Sequence, residues 1–401
     1  MAVVGGMCLG SVVATPVWAL GIRIADQDPF ATARGNAFAA TADNPSAIYY
    51  NPAGLTQLEG HHLRIGGYSI ALKSEFTSPA GAQFSTKSRV EFAPQFYYAY
   101  GMKEQPLAFG VGLYAPYGLA LEWPDNTVFG PVFGKMTYLS LNPVAAWQVH
   151  PTLSLAAGLT LNYGDTEIRQ QAITGAPGSL NRFQGEDVDA GFNLGLLWQP
   201  MKQHSIGVNY RSPTTQNFSG SSTTTGAGPT VSGAASARIP FPRHIVFGYS
   251  FRPTPDWNLE FNADWTEWSR LTTVSFVQPG GTFPAPFNWR SSWFYEFGLT
   301  RRFEGGWRAS AGYIYSENSV PDANFSPLVP DSDRHIFSLG VGRQQPRVSW
   351  DVAYQLGWGP SRTVAGNTLA FPLAIPPPSA TANGSYTFLS HAVTAAVSLR
   401  F

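Results

Sequence analysis

From about residue 60 onward, nearly every stretch of this chain alternates apolar with polar or small residues, and that period of two limits its fold more than any other feature. In 350 to 358, Trp350, Val352, Tyr354, Leu356 and Trp358 share one face, while Asp351, Ala353, Gln355 and Gly357 share the other. Leu153, Leu155, Leu159, Leu161 and Tyr163 oppose Ser154, Gly158, Thr160 and Asn162 in the same way, as Phe287, Trp289, Trp293, Tyr295, Phe297 and Leu299 oppose Arg290, Ser292, Glu296, Thr300 and Arg302. Successive side chains of a strand point to opposite faces, so these are strands with one greasy and one polar side. Segments of about 12 to 18 residues exceed the usual globular strand of about five or six and are long enough to cross a bilayer at a tilt.

Fourteen such segments are predicted. The first seven are 61 to 76, 87 to 101, 107 to 118, 135 to 150, 152 to 169, 187 to 199 and 204 to 218. The remainder are 233 to 251, 257 to 276, 287 to 303, 307 to 318, 333 to 343, 347 to 360 and 385 to 401. Short turn signals such as His150-Pro151 and Glu304 to Gly306 alternate with longer Gly/Ser/Thr/Pro-rich segments such as 119 to 134, 219 to 232 and 361 to 384. Short turns on one side and long loops on the other are the layout of an outer-membrane barrel. A soluble sandwich or propeller also uses period two, but its apolar face points inward and is aliphatic rather than set with Trp and Tyr near the strand ends. The last strand argues for lipid: Val393, Ala395, Val397, Leu399 and the terminal Phe401 share a face and leave Arg400 on the other. The fold class expected is all-β, a transmembrane antiparallel β-barrel of about fourteen strands occupying 61–401, in the bacterial outer membrane and surrounded by its lipid.

Composition agrees. Only 12% of the 401 residues are charged, with 25 basic and 25 acidic residues, against about 25% charged in an ordinary soluble domain. Net charge near zero gives no attraction for nucleic acid. The one cysteine, Cys8, lies in residues 1–19, which carry no charge and end Val17-Trp18-Ala19, with small residues placed as at a leader-peptidase site. Residues 1–19 are read as a signal peptide, although the usual Lys or Arg ahead of the apolar run is missing; a retained membrane segment is the other reading. A processed chain has no thiol and no disulfide. After Ala19 no run of about 18 apolar residues exists for a membrane-spanning helix.

Residues 34 to 55 break the alternation. Ala-rich, helix-compatible pieces are interrupted at Asn44-Pro45 and Asn51-Pro52, where proline removes a donor and biases its predecessor away from α geometry. Phe38, Ile48, Tyr49 and Leu55 need somewhere to be buried, and the interior of a closed sheet provides it, so 20–60 is read as a compact plug, with Asn44, Pro45, Asn51, Pro52, Ala53 and Gly54 as its defining residues. Fourteen strands leave a bore wider than the filled interior of eight and narrower than the channel of sixteen. The polar faces line it with Arg243, Glu260, Asp264, Arg290, Glu296, Arg308 and Arg334, acids and bases on neighbouring strands able to pair where lipid would not tolerate them.

Two further places stand out. The loop 119 to 134 carries Leu119, Leu121, Trp123, Phe129 and Phe133, an apolar density that either captures a hydrophobic solute or packs over the barrel mouth. Pro116 lies in an otherwise strand-like run beside Tyr114, Tyr117 and Gly118; proline cannot donate to a ladder, so pairing should fail here, as a gap in the wall or an early strand end. Catalysis finds no support. His61, His62, His150, His204, His244, His335 and His391 show no ligand spacing beyond one adjacent pair whose side chains point to opposite faces. Asp331-Ser332-Asp333-Arg334-His335 are neighbours in sequence, which does not make a triad. No catalytic residue, metal or cofactor is expected.

The stretch A-R-G-N-A-F-A-A-T-A-D-N-P-S-A-I-Y-Y-N-P-A-G-L resembles the N-terminal hatch of the outer-membrane long-chain fatty acid and aromatic hydrocarbon transporters, the FadL family. Tyr117-Gly118-Leu119, D-W-T-E-W-S-R at 264 to 270 and V-P-D-A-N-F-S-P-L-V-P-D-S-D-R-H at 320 to 335 resemble further stretches of that family. The resemblance implies a fourteen-stranded barrel with the hatch inside, working as a monomer in passive uptake of a hydrophobic small molecule, a fatty acid or hydrocarbon. It also implies capture in a groove on an outward loop (Leu119, Leu121, Trp123, Phe129, Phe133), transfer to an inner pocket, and sideways exit at a kinked third strand (Tyr114, Pro116, Tyr117, Gly118). Arg243, Arg290, Arg308 and Arg334 are the candidate partners for a carboxylate. A general channel for small polar solutes remains the alternative, and a surface adhesin or phage receptor a third.

Overall fold

The computed structural model describes residues 22–173, 176–369 and 382–401, the side chain of Leu119 excepted; the proposed signal peptide at 1–19 lies outside the described residues. From Gly60 the chain runs back and forth through fourteen antiparallel strands and closes on itself. These are β1 Gly60–Thr77, β2 Val90–Gly101, β3 Leu107–Glu122, β4 Pro131–His150, β5 Leu153–Gln171 and β6 Leu180–Met201. Four strands follow that are each interrupted once: β7 (His204–Arg211, Thr214–Thr225), β8 (Val231–Phe241, His244–Phe251), β9 (Trp257–Thr266, Thr273–Gln278) and β10 (Gly281–Pro286, Ser292–Arg302). The rest are β11 Trp307–Ser316, β12 Arg334–Gln344, β13 Val348–Val364 and β14 Gly384–Arg400. Closure is made by β1 against β14, from His62 opposite Arg400 to Thr77 opposite Ser385.

The alternation decides which way each face looks. In β13 Asp351, Ala353 and Gln355 are buried while Val352, Tyr354 and Trp358 are exposed; in β14 Ala392, Thr394 and Ala396 are buried while Val393, Val397 and Leu399 are exposed. The apolar face is the outer one, as a cylinder in lipid requires. Rings mark its two rims. At the short-turn end His61 stacks on Tyr100 and Phe401, and at the other Tyr313, Tyr315 and Trp358 surround His335, where amphipathic rings meet headgroups.

The strand breaks carry a correction. Alternation over 287 to 303 places Trp289 outside and Arg290 in the lumen, but the ladder stops after Pro286 and resumes at Ser292, with Asn288 at a positive φ of 44°. The parity inverts across this break: Trp289 is buried and Arg290 exposed. Arg243 likewise lies in the break of β8, half exposed and paired with Glu267 at 2.7 Å rather than lining the bore. A pattern of two cannot reveal a frameshift in itself.

Residues 22–58 fold inside the cylinder. Asp28 caps the short helix Pro29–Ala33, accepting from the Phe30 and Ala31 amides. The Asn-Pro pairs begin turns rather than merely breaking them. Asn44 accepts from the Ser46 amide at 2.8 Å, and Asn51 caps the 3-10 turn Pro52–Gln57, because an Asn side chain satisfies the first free amide while proline needs none. Bare backbone of this segment lies directly on the wall. A Cβ on Gly207 would sit 2.0 Å from the Ala39 carbonyl and one on Gly312 1.9 Å from the Gly35 amide, and Gly195, Gly298 and Gly340 leave room in the same way.

Gly312→Val is therefore expected to unseat this segment while sparing the barrel. Its folded band on unheated gels should persist and limited proteolysis should reach residues 22–58; continued protection of that segment would contradict the close-approach account.

Candidate functional site

The interior divides at the N-terminal segment. Below it, at the short-turn end, a polar vestibule of about 590 Å³ opens among Asp43, Glu59, His62, Arg347 and Arg400. Above it a cluster of rings and aliphatics fills the bore, including Tyr117, Tyr138, Phe218, Phe241, Trp268 and Trp289.

A chain of buried ion pairs fastens the segment between them. Arg64 of β1 pairs with Asp28 and, at 3.0 Å, with Asp351 of β13; Asp351 also takes two bonds from Arg308 at 2.9 and 2.8 Å, and the Arg308 guanidinium lies 3.8 Å from the centre of the Phe30 ring. Across the bore Arg23 pairs with Asp264 at 2.6 Å, and Glu260 takes the Ala40 amide at 2.8 Å, the Thr41 hydroxyl and Arg34. Arg211 donates to the Tyr114 hydroxyl at 2.7 Å and to the Tyr49 carbonyl at 2.8 Å, with the Tyr49 and Tyr114 rings over it. Glu260, Asp264 and Arg308 are thus lumen residues that hold the segment. Glu296 is buried with them and accepts from Asn262 at 2.8 Å. Arg334 is buried elsewhere, against Asp331 at 3.2 Å and over the Phe388 ring.

Arg23, Asp28, Arg34, Arg64, Arg211 and Asp351 were not singled out from the sequence as site residues, although Asp351 stands on the polar face of its strand. Their partners lie up to 334 residues away, and no local pattern records that. Asp331 and His335 face different ways: Asp331 accepts from Ser319, whereas His335 contacts the outer-face Tyr313 hydroxyl at 2.7 Å.

The ladder of the wall is interrupted at the third strand. β2 and β3 pair only from Phe96–Leu113 to Gly101–Ala108, and opposite β4 the register of β3 shifts between Tyr114 and Tyr117. Beyond that point Val90–Gln95 and Tyr114–Glu122 share no ladder. Pro116 has no amide to give, and its carbonyl turns inward to accept from Ile24 at 2.8 Å; Gly118 donates to Ile22 at 2.9 Å, and the Ala115 carbonyl accepts from Gln27. The N-terminal segment replaces the missing strand, and β3 runs on past Pro116 to Glu122.

The loop expected at 119 to 134 is shorter, since the ladder between β3 and β4 continues to Glu122 opposite Phe133; Leu121 and Phe133 on these strands and Trp123 and Phe129 between them are all buried. Trp123 donates to the Pro327 carbonyl at 2.9 Å and packs edge-on against Phe129, which meets Phe76. The side chain of Leu119 lies outside the described residues. These rings roof the aromatic cluster, so the apolar density of this loop is packed over the mouth.

A family model described as outer membrane protein transport protein (OMPP1/FadL/TodX) matches residues 10–401. The chain belongs to that family. It is an outer-membrane β-barrel transport protein, not an enzyme. Among curated relatives, the long-chain fatty acid transport protein of Escherichia coli K12 is 22% identical over 388 residues, covering 82% of this chain and 86% of that one. The 47 kDa outer membrane protein of Pasteurella multocida is 24% identical over 351 residues, covering 79% and 82%. Among solved structures, a FadL homologue of Pseudomonas aeruginosa superposes with a TM-score of 0.80 at 18% identity over 95% of this chain and 100% of that one. The toluene transporter TbuX of Ralstonia pickettii gives 0.73 at 19% over 93% and 98%. At such identities these structures speak for the fold alone.

Two outcomes follow for this FadL/TodX-family interior. Asp351→Asn leaves the buried Arg308 guanidinium without a carboxylate while Arg64 keeps Asp28, a loss of about 3–5 kcal/mol; melting in detergent should fall and sugar-driven liposome swelling should rise, and an unchanged melting temperature would contradict the lock. Burial pushes the Asp26 carboxyl above the usual carboxylate range, offset in part by hydrogen bonds from Asn36 and Gln355. The folded form then holds this proton more tightly than the unfolded chain, so seating is favoured in acid and weakens as pH rises through the raised value. Asp26→Asn keeps the oxygen that both amides use, so its melting temperature at neutral pH should equal or exceed the parent's, with a flatter pH dependence; a lower value would refute this sign.

Proposed function

We propose that this protein carries small hydrophobic molecules across the outer membrane by passive transfer, as a monomer, with residues 20–60 of the processed chain acting as the hatch. The observation that carries the reading is the parted wall at Pro116. A barrel whose hatch fills the bore has no straight aqueous path, and the separation of β2 from β3 supplies a lateral one at the height of the hatch. Cargo is taken up at the aromatic mouth roofed by Trp123, Phe129 and Phe133, passes the cluster around Tyr117 and Trp268, and leaves sideways beside Pro116 and Gly118. The relatives' names support two classes of cargo, long-chain fatty acids and toluene.

Charge favours the uncharged class. Arg23, Arg34, Arg64 and Arg308 already face Asp264, Glu260, Asp28 and Asp351. Arg211 is covered by two tyrosine rings and bonded to hatch carbonyls. Asp26 and Glu296 are buried with amide donors. An arriving carboxylate would meet an interior whose positive charge is spoken for, and burying it without a partner is costly. A hydrocarbon pays no such penalty. The polar vestibule below the hatch is what favours the rival channel for polar solutes.

Proteoliposomes separate these readings. Saturable toluene uptake with weak laurate competition and no sugar swelling is expected; rapid sugar swelling would select the channel, and tight laurate binding would overturn the preference for neutral cargo. Replacing Pro116 and Gly118 with alanine should slow uptake more than it weakens binding, and equal losses would remove the lateral exit.

A further inference from the structure

The barrel wall is interrupted a second time, far from the third strand. β6 and β7 pair from Leu180–Thr225 to Glu186–Ser219 and again from Asn193–Arg211, the register shifted by one residue. In between, Asp187–Gly191 and Pro213–Phe218 form no ladder with each other, although Asp187–Gly191 and Thr214–Phe218 remain paired on their other sides. At one end Ser212 and Phe192 stay joined, the Ser212 amide donating to the Phe192 carbonyl at 2.9 Å and the Phe192 amide to the Ser212 hydroxyl at 2.9 Å; at the other a side chain stands in for the missing backbone partner, the Asp187 carboxylate taking the Asn217 amide at 2.6 Å. Pro213 has no amide to offer. The break lies within the lipid-facing band, since Val188 is 65% and Phe192 43% exposed on the outer face, as are Leu159 and Leu161 on the neighbouring strand.

Behind it is a water-sized cavity of about 30 Å³ that runs from Phe192 past Ser212, Thr214 and Thr160 to Tyr138, Tyr117 and Pro116. The two interruptions of the wall therefore open on one interior space. Hydrocarbon cannot solvate a free strand edge, so a break held together by side chains rather than by a ladder is the weakest part of such a wall. Apart from Arg211 and His244, the lining is hydroxyl, amide and ring.

We propose that the β6–β7 break is a second lateral opening, joining the cavity behind Pro116 to the bilayer and passing a small uncharged hydrophobic molecule that bears at most a hydroxyl. The inference rests on the transport reading above for its cargo, but not for its existence. With Cys8 replaced by serine, single cysteines at Thr214, behind the break, and at Ser338, inward-facing with intact ladders on both sides, are exposed to a lipid-dissolved maleimide in proteoliposomes. Thr214→Cys should label several-fold faster; equal rates would overturn the opening whatever the cargo. Bridging Val188→Cys to Asn217→Cys with a short bifunctional thiol reagent should then lower toluene uptake several-fold, while the same bridge at the paired positions Gln184→Cys and Ser221→Cys should not. Full bridging with uptake unchanged would overturn the exit role. Uptake absent even before bridging would count against the transport reading, leaving the labelling result to decide the opening.

Discussion

Backbone amides and carbonyls in a hydrocarbon slab must find partners within the protein, and that requirement organises this molecule. Closure of β1 on β14 meets it for most of the wall. Where the ladder fails, a substitute has been supplied: Ile22 and Ile24 for β3 at its kink, Asp187 and Ser212 between β6 and β7. The places where substitutes are needed are the places where the hydrogen-bonded ladder of the wall is interrupted.

The segment inside the cylinder is held by contacts of several kinds. Its backbone rests on inward glycines of β6, β7, β10, β11 and β12. Ile48, Tyr49 and Leu55 pack with Tyr97, Tyr114, Val144 and Leu197 of the wall, and a few ion pairs join them, Asp28–Arg64–Asp351–Arg308 on one side and Arg23–Asp264 on the other. Breaking one partner of such a pair is costly, whereas the pair as a whole need add little net stability.

Much of the wall was legible because burial in lipid writes itself into every second residue. Ten of the fourteen strands run unbroken, β13 and β14 with the faces expected. Pro116 was legible because proline has a local consequence wherever it sits. Arg290 and Arg243 were misplaced because a strand break reverses parity without changing composition. The apolar loop was legible as apolar, but whether Trp123 faces water or a neighbouring loop depends on Pro327, 204 residues away.

Alternation and scarce charge by themselves determined an all-β cylinder with an oily exterior and a non-sheet segment ahead of it, since each is a local record of which solvent a residue meets. Only the tertiary structure decided which polar residues hold the segment, which glycines it lies upon, and where neighbouring strands part. Those depend on distances between residues hundreds of positions apart, and a register shift of one residue, invisible in any single strand, is enough to interrupt a ladder.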